Sequence, residues 1–241
     1  MFLACATAIF ICTSASTAVA VSLRLTGSYT QRKVSSGKFP IHSACVMPPR
    51  GHLTKIGFKG AEGMTKESEG WTVALEAFVE SHFLYDGVAI NLATNPFSTG
   101  ASDDEIRRVI SQVEEKLDTL SPLMMKKPRE IAKSAYTLGD QVGMLPCSEN
   151  SDILVFVQGE GQVLTGGRAT MTLVAGGPAD GALLRVTMAD AKTGEIIGFI
   201  KIYTGDGFLG GAEDAFGERL DEHLGIMNIG SARKRAPPNR H

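Results

Sequence analysis

The clearest pattern of apolar and polar positions predicts a long amphipathic helix near the middle of the chain. Apolar side chains recur there at three- and four-residue spacing, which is the period of one helical face. They are Ile106, Val109, Ile110, Val113, Leu117 and Leu120. Ser102 and Glu105 match a capping box, in which each side chain accepts a hydrogen bond from the other's backbone N–H. The dipeptide Ser121-Pro122 is expected to interrupt the helix because proline lacks a backbone N–H.

Three further stretches repeat the helical spacing: residues 71–83, residues 216–224 and a segment that runs from Pro128 to Gly143. Each predicts a surface helix with one buried side. In the segment that begins at Pro128, the predicted buried positions are Ile131, Ala135, Leu138 and Val142. Alternating charges on the outer helical faces indicate a solvated surface, with a partner-binding groove as the alternative.

Apolar runs and period-two alternation predict six strands. They cover residues 53–58, 88–93, 152–157, 171–175, 183–189 and 196–203. The third strand is apolar throughout its core, which is typical of a central strand covered on both faces. Asp190 and Gly194 suit a tight reversal between the last two strands, which should therefore form an antiparallel hairpin.

This order of elements predicts an α/β (α+β) domain with a single mixed sheet, flanking amphipathic helices and a C-terminal antiparallel hairpin. The domain should cover residues 52–227. Residues 21–51 are rich in Ser, Gly, Lys and Pro without sustained periodicity, so we expect a linker there. Residues 228–241 are polar and basic, and we expect a disordered tail.

Residues 1–20 have the composition of an export signal. The stretch is almost free of charge, its core is short and apolar, and Ala18-Val19-Ala20 supplies the small residues that a signal peptidase requires. The mature chain would begin near Val21 and be periplasmic or associated with the outer membrane. No Lys or Arg precedes the apolar run, so a true start further upstream is one alternative. A retained anchor is another, although the run is shorter than the roughly 20 residues of a spanning helix.

Two of the four cysteines, Cys5 and Cys12, would leave with this signal, and Cys45 and Cys147 would remain. In an oxidising compartment the remaining pair is a candidate disulfide. Two buried thiols are an alternative. Lipid attachment at Cys45 is a third, since small residues precede it, but the segment before them is too polar for a lipoprotein signal.

Charge excludes a broad nucleic-acid-binding surface. The 241 residues contain 24 basic and 26 acidic side chains, with a net charge of -2, and such a balance gives no general attraction to phosphate backbones. One basic cluster, Arg233-Lys234-Arg235 with Arg240, could contact anionic lipid or nucleic acid. A short terminal cluster without aromatic residues is typical of a solubilising tail.

Motifs that would identify a reaction are incomplete. Residues 161–168 have the glycine spacing of a phosphate-binding loop, but Gly167 and Arg168 stand where Lys and Ser or Thr are required. A hairpin turn is the favoured interpretation. Gly159-Glu160-Gly161 lacks the third glycine of the dinucleotide fingerprint, because Leu164 takes that position.

Nucleophilic and metal sites receive no better support. No Gly-x-Ser-x-Gly elbow occurs, and His42 and Cys45 are close only within the expected linker. The five histidines form no ligand pair at helical spacing: His42, His52, His82, His223 and His241. Asp206, Glu213 and Asp214 do not follow the order of EF-hand ligands. The sequence therefore predicts no catalytic, cofactor-binding or metal-binding residues.

The hairpin sequence Ala189-Asp190-Ala191-Lys192-Thr193-Gly194-Glu195, after a buried strand preceded by Asp152, resembles exported α/β domains. The similar group is the TolB amino-terminal and CsgG type of bacterial envelope lipoproteins. That resemblance implies a non-catalytic module that binds an envelope protein, forms a homo-oligomer or assembles a complex, with peripheral membrane association and no cofactor. The alternatives are a small-molecule enzyme such as a hydrolase, whose site is assembled from distant residues, and a purely structural secreted protein.

Overall fold

The computed structural model describes residues 26–57, 60–82, 88–93, 103–145, 147–164, 180–204 and 213–226. Within them, eight strands form one mixed sheet between two layers of helix, which confirms the predicted fold class. The strands are β1 (Gly27–Thr30), β2 (Ser43–Val46), β3 (Arg50–Gly57), β4 (Gly60–Gly63), β5 (Ala89–Leu92), β6 (Ile153–Leu164), β7 (Asp180–Asp190) and β8 (Ile196–Thr204). The α-helices are α1 (Arg32–Ser35), α2 (Thr65–His82), α3 (Asp103–Lys126) and α4 (Glu213–Ile226).

The long strand β6 organises the sheet, whose order is β1-β8-β7-β6-β2-β5. On one side, β6 is antiparallel to β7 over residues 153–163. On its other side, it runs parallel first to β2 and then to β3, which carries β4 on its outer edge. The apolar run at residues 153–157 is buried throughout, as expected for a central strand covered on both faces.

The hairpin of β7 and β8 is antiparallel, as its turn residues predict. The carboxylate of Asp190 accepts hydrogen bonds from the backbone N–H groups of Lys192, at 2.9 Å, and Thr193, at 3.0 Å. Gly194 has a φ of 68°, which glycine adopts without steric cost. The turn is thus fixed by its own short-range hydrogen bonds.

Helices cover the two faces of the sheet with separate apolar clusters. We call the first the α2/α4 face, because Trp71, Leu75, Phe216 and Leu220 pack there against β6, β7 and β8. The second is the α3 face, where Val113, Leu117 and Met124 pack against Leu154, Phe156 and Phe199. The spacing seen in the sequence correctly identifies the buried faces of α2, α3 and α4.

The expectation of a linker over residues 21–51 is wrong for its described part, residues 26–51. That part contains β1, α1, β2 and the start of β3. β1 pairs with β8, and β2 lies between β5 and β6. Strands of four residues are too short to show a clear period, and their hydrogen bonds depend on partners distant in the sequence, which are β8 for β1 and both β5 and β6 for β2. Composition alone therefore concealed them.

The helix expected from Pro128 to Gly143 is also wrong. Two 3-10 turns, Pro128–Lys133 and Asp140–Met144, occupy most of that stretch. Between them, Leu138 donates its N–H to the Gly194 carbonyl at 2.8 Å, and Tyr136 accepts from the Ile196 N–H at 3.0 Å. The backbone is therefore bonded to the β7–β8 hairpin instead of to itself. Ile131, Leu138 and Val142 are buried as predicted, whereas Ala135 is exposed.

Helix α3 continues through Pro122 to Lys126 instead of ending at Ser121-Pro122. Pro122 is itself exposed, while Ser121 and Met124 beside it are buried. Burial of that last turn against the sheet offsets the hydrogen bond that the proline removes.

Several sequence predictions lie outside the described residues: the signal over residues 1–20, the strand over residues 171–175, the cap at Ser102 and the tail over residues 228–241. The predicted domain start at residue 52 is wrong together with the linker, because β1 and β2 belong to the same sheet, whereas the domain end at residue 227 remains a prediction. Among the helices of the described residues, none has the length and apolar character needed to cross a bilayer.

Candidate functional site

The parallel strands β2 and β5 end side by side, and the chain leaves them on opposite faces of the sheet. After β2 and the β3–β4 pair, α2 packs on the α2/α4 face, whereas α3, which follows β5, packs on the α3 face. In α/β proteins, ligands bind outside the carboxyl ends of strands at such a switch point. The turn 47–49 at the end of β2 lines a crevice on each side.

The crevice on the α3 side, here called the α3 pocket, has a volume of about 210 Å³. Its wall is almost entirely apolar. The apolar lining residues are Met47, Pro48, Ile110, Val113, Leu117, Leu145, Phe156 and Val157. Arg50, Glu114 and Gln158 supply the polar groups. An apolar wall with a few convergent polar groups is typical of a small-ligand site.

Hydrogen bonds connect the polar groups of the α3 pocket to helix α3. Arg50 lies 3.3 Å from the Asp118 carboxylate and 3.8 Å from that of Glu114. The Gln158 amide nitrogen donates to Asp118 at 3.1 Å, and the Ser121 hydroxyl donates to the Gln158 amide oxygen at 3.1 Å. One guanidinium thus lies within ion-pair distance of both carboxylates, so the polar rim keeps a net charge of about one negative unit and can orient a bound group.

The crevice on the other side has a volume of about 170 Å³ and lies between α2, β5 and the turn 47–49. It is lined by Val46, Met47, Pro48, Pro49, Glu76, Val79, Glu80 and Ala93. Its two carboxylates come from the same helix. The two crevices share Met47 and Pro48, so the turn at the end of β2 separates an apolar chamber from an acidic one.

The candidate disulfide residues lie next to the α3 pocket. Cys45 is fully buried in β2. Cys147 has a φ of 61° and directly precedes a short 3-10 turn, Ser148–Asn150. The structure joins the two as a pair whose Cα atoms are 5.9 Å apart, within the range that disulfides span. Met47 and Leu145, each two residues from a cysteine, line the pocket. The disulfide between Cys45 and Cys147 stays a prediction.

The histidines of the described residues are dispersed. His42 and His52 are exposed, and His223 lies half-buried with its Nδ1 3.1 Å from the Ser28 hydroxyl. Burial lowers the pKa of His223. Within the ranges that the structure describes, no three His, Cys, Asp or Glu side chains lie close enough to hold a metal ion. Asp206 and residues 165–168 of the glycine cluster lie outside those ranges, and Glu213 and Asp214 are described only as the start of helix α4.

The glycines of β6 have a packing role. A Cβ atom on Gly159 would lie 2.5 Å from Trp71 Nε1 and 2.7 Å from Leu75 Cδ1. One on Gly161 would collide with Trp71 and Leu53. Gly159-Glu160-Gly161 therefore admits the indole ring of α2 to the sheet, in keeping with its failure to match a dinucleotide fingerprint.

Sequence reasoning did not identify Arg50, Asp118 and Gln158. Asp118 lies 40 positions from Gln158 and 68 positions from Arg50, so these side chains meet only in the fold. It also missed Arg185 and Lys201, which are buried on the α3 face. A signal for these two was present, since each is a single cation within an otherwise apolar strand. Charged residues are seldom fully buried without a partner.

Comparison with known proteins gives two weak similarities. No protein-family model matches the chain, and no curated protein matches it. The crystal structure of lipoprotein GNA1162 from Neisseria meningitidis aligns over 78% of this chain and 97% of that chain, at 8% identity and a TM-score of 0.29. The LpoB C-terminal domain from Salmonella enterica aligns over 73% of this chain and 95% of that chain, at 10% identity and a TM-score of 0.21. Similarities this low carry no inference, so the TolB and CsgG resemblance stays a prediction.

Proposed function

We propose that the chain is an exported, non-catalytic module of the cell envelope that binds another protein or helps to assemble a complex. The observation that carries this proposal is the outer edge of β5. Among the described residues, β5 pairs with β2 alone. A strand edge with unused backbone groups is a template for an extended segment of another chain.

The backbone direction of β5 defines where such a segment would bind. Ala89 donates its N–H to the His42 carbonyl at 2.8 Å, and Ala93 donates to Val46 at 2.9 Å, so both face β2. Since successive residues of a strand direct their N–H groups to opposite sides, the N–H and C=O of Ile90 point to the outer edge. An envelope protein that adds a strand here, or a second copy of this chain, would pair with Ile90.

The cysteine pair supports export, because disulfides persist mainly in oxidising compartments. The proposed location is the periplasm or the outer membrane, with peripheral membrane association. The near-neutral charge supports a protein partner over nucleic acid. Intact-mass analysis of fractionated native protein tests export: a chain that begins near Val21 is expected, and an unprocessed cytosolic species would contradict it.

Replacing Ile90 tests the edge directly. Ile90→Pro removes the outward N–H, while Ile90→Ala removes the same apolar side chain and keeps that N–H. Chemical crosslinking of native envelopes should recover one partner, or a homo-oligomer, with the wild type and Ile90→Ala. The complex should be lost with Ile90→Pro. Far-UV circular dichroism checks that both variants fold, and equal recovery from both would disprove edge pairing.

The α3 pocket favours a second candidate function, a small-molecule enzyme such as a hydrolase. Ile110→Trp should fill the pocket while leaving β5 unchanged. If the protein acts on a small molecule in the α3 pocket, Ile110→Trp should abolish binding and turnover of that molecule, and Ile90→Pro should leave both unchanged. A screen with short-chain esters separates binding from hydrolysis, and turnover that Glu114→Gln removes would establish the enzyme.

A further inference from the structure

Two buried cations lie side by side on the α3 face. Arg185 on β7 and Lys201 on β8 are direct cross-strand partners, and they are 8% and 6% exposed. Such partners have Cβ atoms about 5 Å apart on the same face of a sheet. Two like charges at that separation, both withdrawn from water, oppose folding unless anions compensate them.

The described residues compensate only part of this charge. One terminal nitrogen of Arg185 contacts the carboxylate of Glu160. The Nε–H of Arg185 is buried without a hydrogen-bond acceptor. The Lys201 ammonium forms neither an ion pair nor a hydrogen bond within the described ranges, and it lies 6.0 Å from the centre of the Tyr29 ring. Burial lowers the pKa of Lys201, as expected for an ammonium group without a counter-ion.

The neighbouring strands limit which groups could satisfy these donors. Gln158 is the cross-strand partner of Arg185 on β6, but its amide already bonds Ser121 and Asp118. On the other side, Gly27 of β1 lies opposite Lys201 and has no side chain to offer. The Arg185 Nε–H and the Lys201 ammonium are therefore two unused donors on one face.

We propose that Arg185 and Lys201 bind the carboxylate group of a ligand. Two cations and the Glu160 carboxylate leave a net local charge of about one positive unit, which a single carboxylate balances. The Arg185 Nε–H and the Lys201 ammonium each donate to one oxygen, in charge-assisted hydrogen bonds. This site is independent of strand pairing at β5, because it lies on a face of the sheet, near the edge strand β1.

The test uses the whole mature chain and the simplest probe, sodium acetate, titrated against sodium chloride at constant ionic strength. The NMR signal of the Arg185 Nε–H should shift saturably with acetate and not with chloride. A peptide with an amidated C-terminus and no acidic side chains, compared with the same peptide as a free acid, distinguishes a small acid from a chain terminus as the source. A saturable shift with acetate or the free-acid peptide supports the site, and no saturable shift with either overturns it.

Two substitutions should change the affinity in opposite directions. Lys201→Met keeps the length of the side chain and removes its charge, so carboxylate should bind about tenfold to a hundredfold more weakly. Glu160→Gln removes the competing carboxylate, whose side chain is 47% exposed, so binding should tighten. Lys33→Met is the matched control, because it removes the same charge from a lysine already paired with Glu195.

Lys201→Met is also expected to fold, since it replaces a buried unpaired charge by an apolar group of similar shape. If it does not fold, Glu160→Gln still tests the proposal. Equal acetate affinity in Lys201→Met and Lys33→Met would overturn the site. So would weaker binding in Glu160→Gln, because a purely structural role for these residues does not give opposite signs.

Discussion

The two faces of the sheet are covered in different ways. On the α2/α4 face the buried layer is apolar, and Gly159 and Gly161 let Trp71 approach the backbone of β6. On the α3 face an apolar cluster gives way to polar side chains: Gln158, Arg185 and Lys201 stand opposite one another on three adjacent strands. All three are buried.

That difference separates stability from binding. Apolar burial stabilises the fold without selecting a ligand, whereas buried polar groups cost free energy unless each has a partner. The α2/α4 face is therefore the structural side of the sheet. The α3 face carries both the polar rim of the α3 pocket and the Arg185–Lys201 pair, so we expect ligand recognition there.

The largest expected effect concerns the cysteine pair, which connects β2 to the segment that covers the α3 face. The two residues are 102 positions apart, and a disulfide that closes a loop of this length stabilises by about 4–5 kcal/mol in the chain-entropy model. Adding a reducing agent should lower the melting temperature of the wild type. The double variant Cys45→Ala/Cys147→Ala should be less stable and unaffected by the reductant.

An unchanged melting temperature, together with two thiols that react with an alkylating agent, would show that the bond is absent. The α3 face would then be held by packing alone, like the α2/α4 face, and the comparison between the two would lose its covalent element.

Next in size is the effect of crowding the α2/α4 face. Gly159→Ala places a methyl group against Trp71 and Leu75, and such overpacking costs about 1–3 kcal/mol. Gly63→Ala on β4 is the control, because its Cβ would meet only His52, at 3.8 Å. Urea denaturation should show a lower free energy of unfolding for Gly159→Ala. For Gly63→Ala the free energy of unfolding should change by no more than about 0.5 kcal/mol. Equal changes would indicate that the indole is not tightly packed.

A smaller effect tests the hydrogen bonds of the α3 face. Ser121→Ala removes the donor to the buried Gln158 amide and should cost about 1 kcal/mol. Thr119→Ala in the same helix is the matched control, because its exposed hydroxyl bonds only the carbonyl of Glu115. Both changes introduce alanine, so helix propensity is similarly favourable. If the two variants unfold at the same urea concentration, the buried network contributes nothing to stability.

Periodicity correctly identified the buried stripes of α2, α3 and α4 and the buried run at residues 153–157 of β6. It missed the second half of β6, which continues to Leu164, and the last turn of α3. It failed for β1 and β2, four-residue strands whose pairing is determined by distant partners. It failed from Pro128 onward because Leu138 bonds Gly194 and not its own helix.

The candidate site was less accessible to sequence reasoning. The polar rim of the α3 pocket combines Arg50 from β3, Asp118 from α3 and Gln158 from β6, and no local pattern connects them. Lys201 left a signal that sequence reasoning did not use, because it is a lone charged residue in the sequence of β8, and such departures from an apolar pattern mark functional or strained positions.

The smallest expected effect belongs to neither face, since Asp152 joins the starts of β2 and β6 within the plane of the sheet. Burial alone would raise the pKa of Asp152. The hydrogen bonds that its carboxylate accepts from the N–H groups of His42, at 2.7 Å, and Ser43, at 3.0 Å, hold that pKa below its ordinary value instead. The resulting stability is fully present above the unfolded-state pKa of about 3.9 and is lost as the pH falls through the lower folded-state pKa.

Asp152→Asn should therefore lose stability at pH 7 and depend less on acidic pH than the wild type. Part of the pH dependence should remain, because burial also opposes ionisation of Glu195 and its bonds with Lys33 and Gln31 nevertheless lower its pKa. Urea denaturation at pH 7 and near pH 3 measures the stability of each variant and its dependence on pH. If Gly159→Ala and Ser121→Ala, one on each face, add within about 0.5 kcal/mol in the double variant, the two faces are independent. A strong coupling between these two variants would mean that a change on one face is transmitted through the sheet.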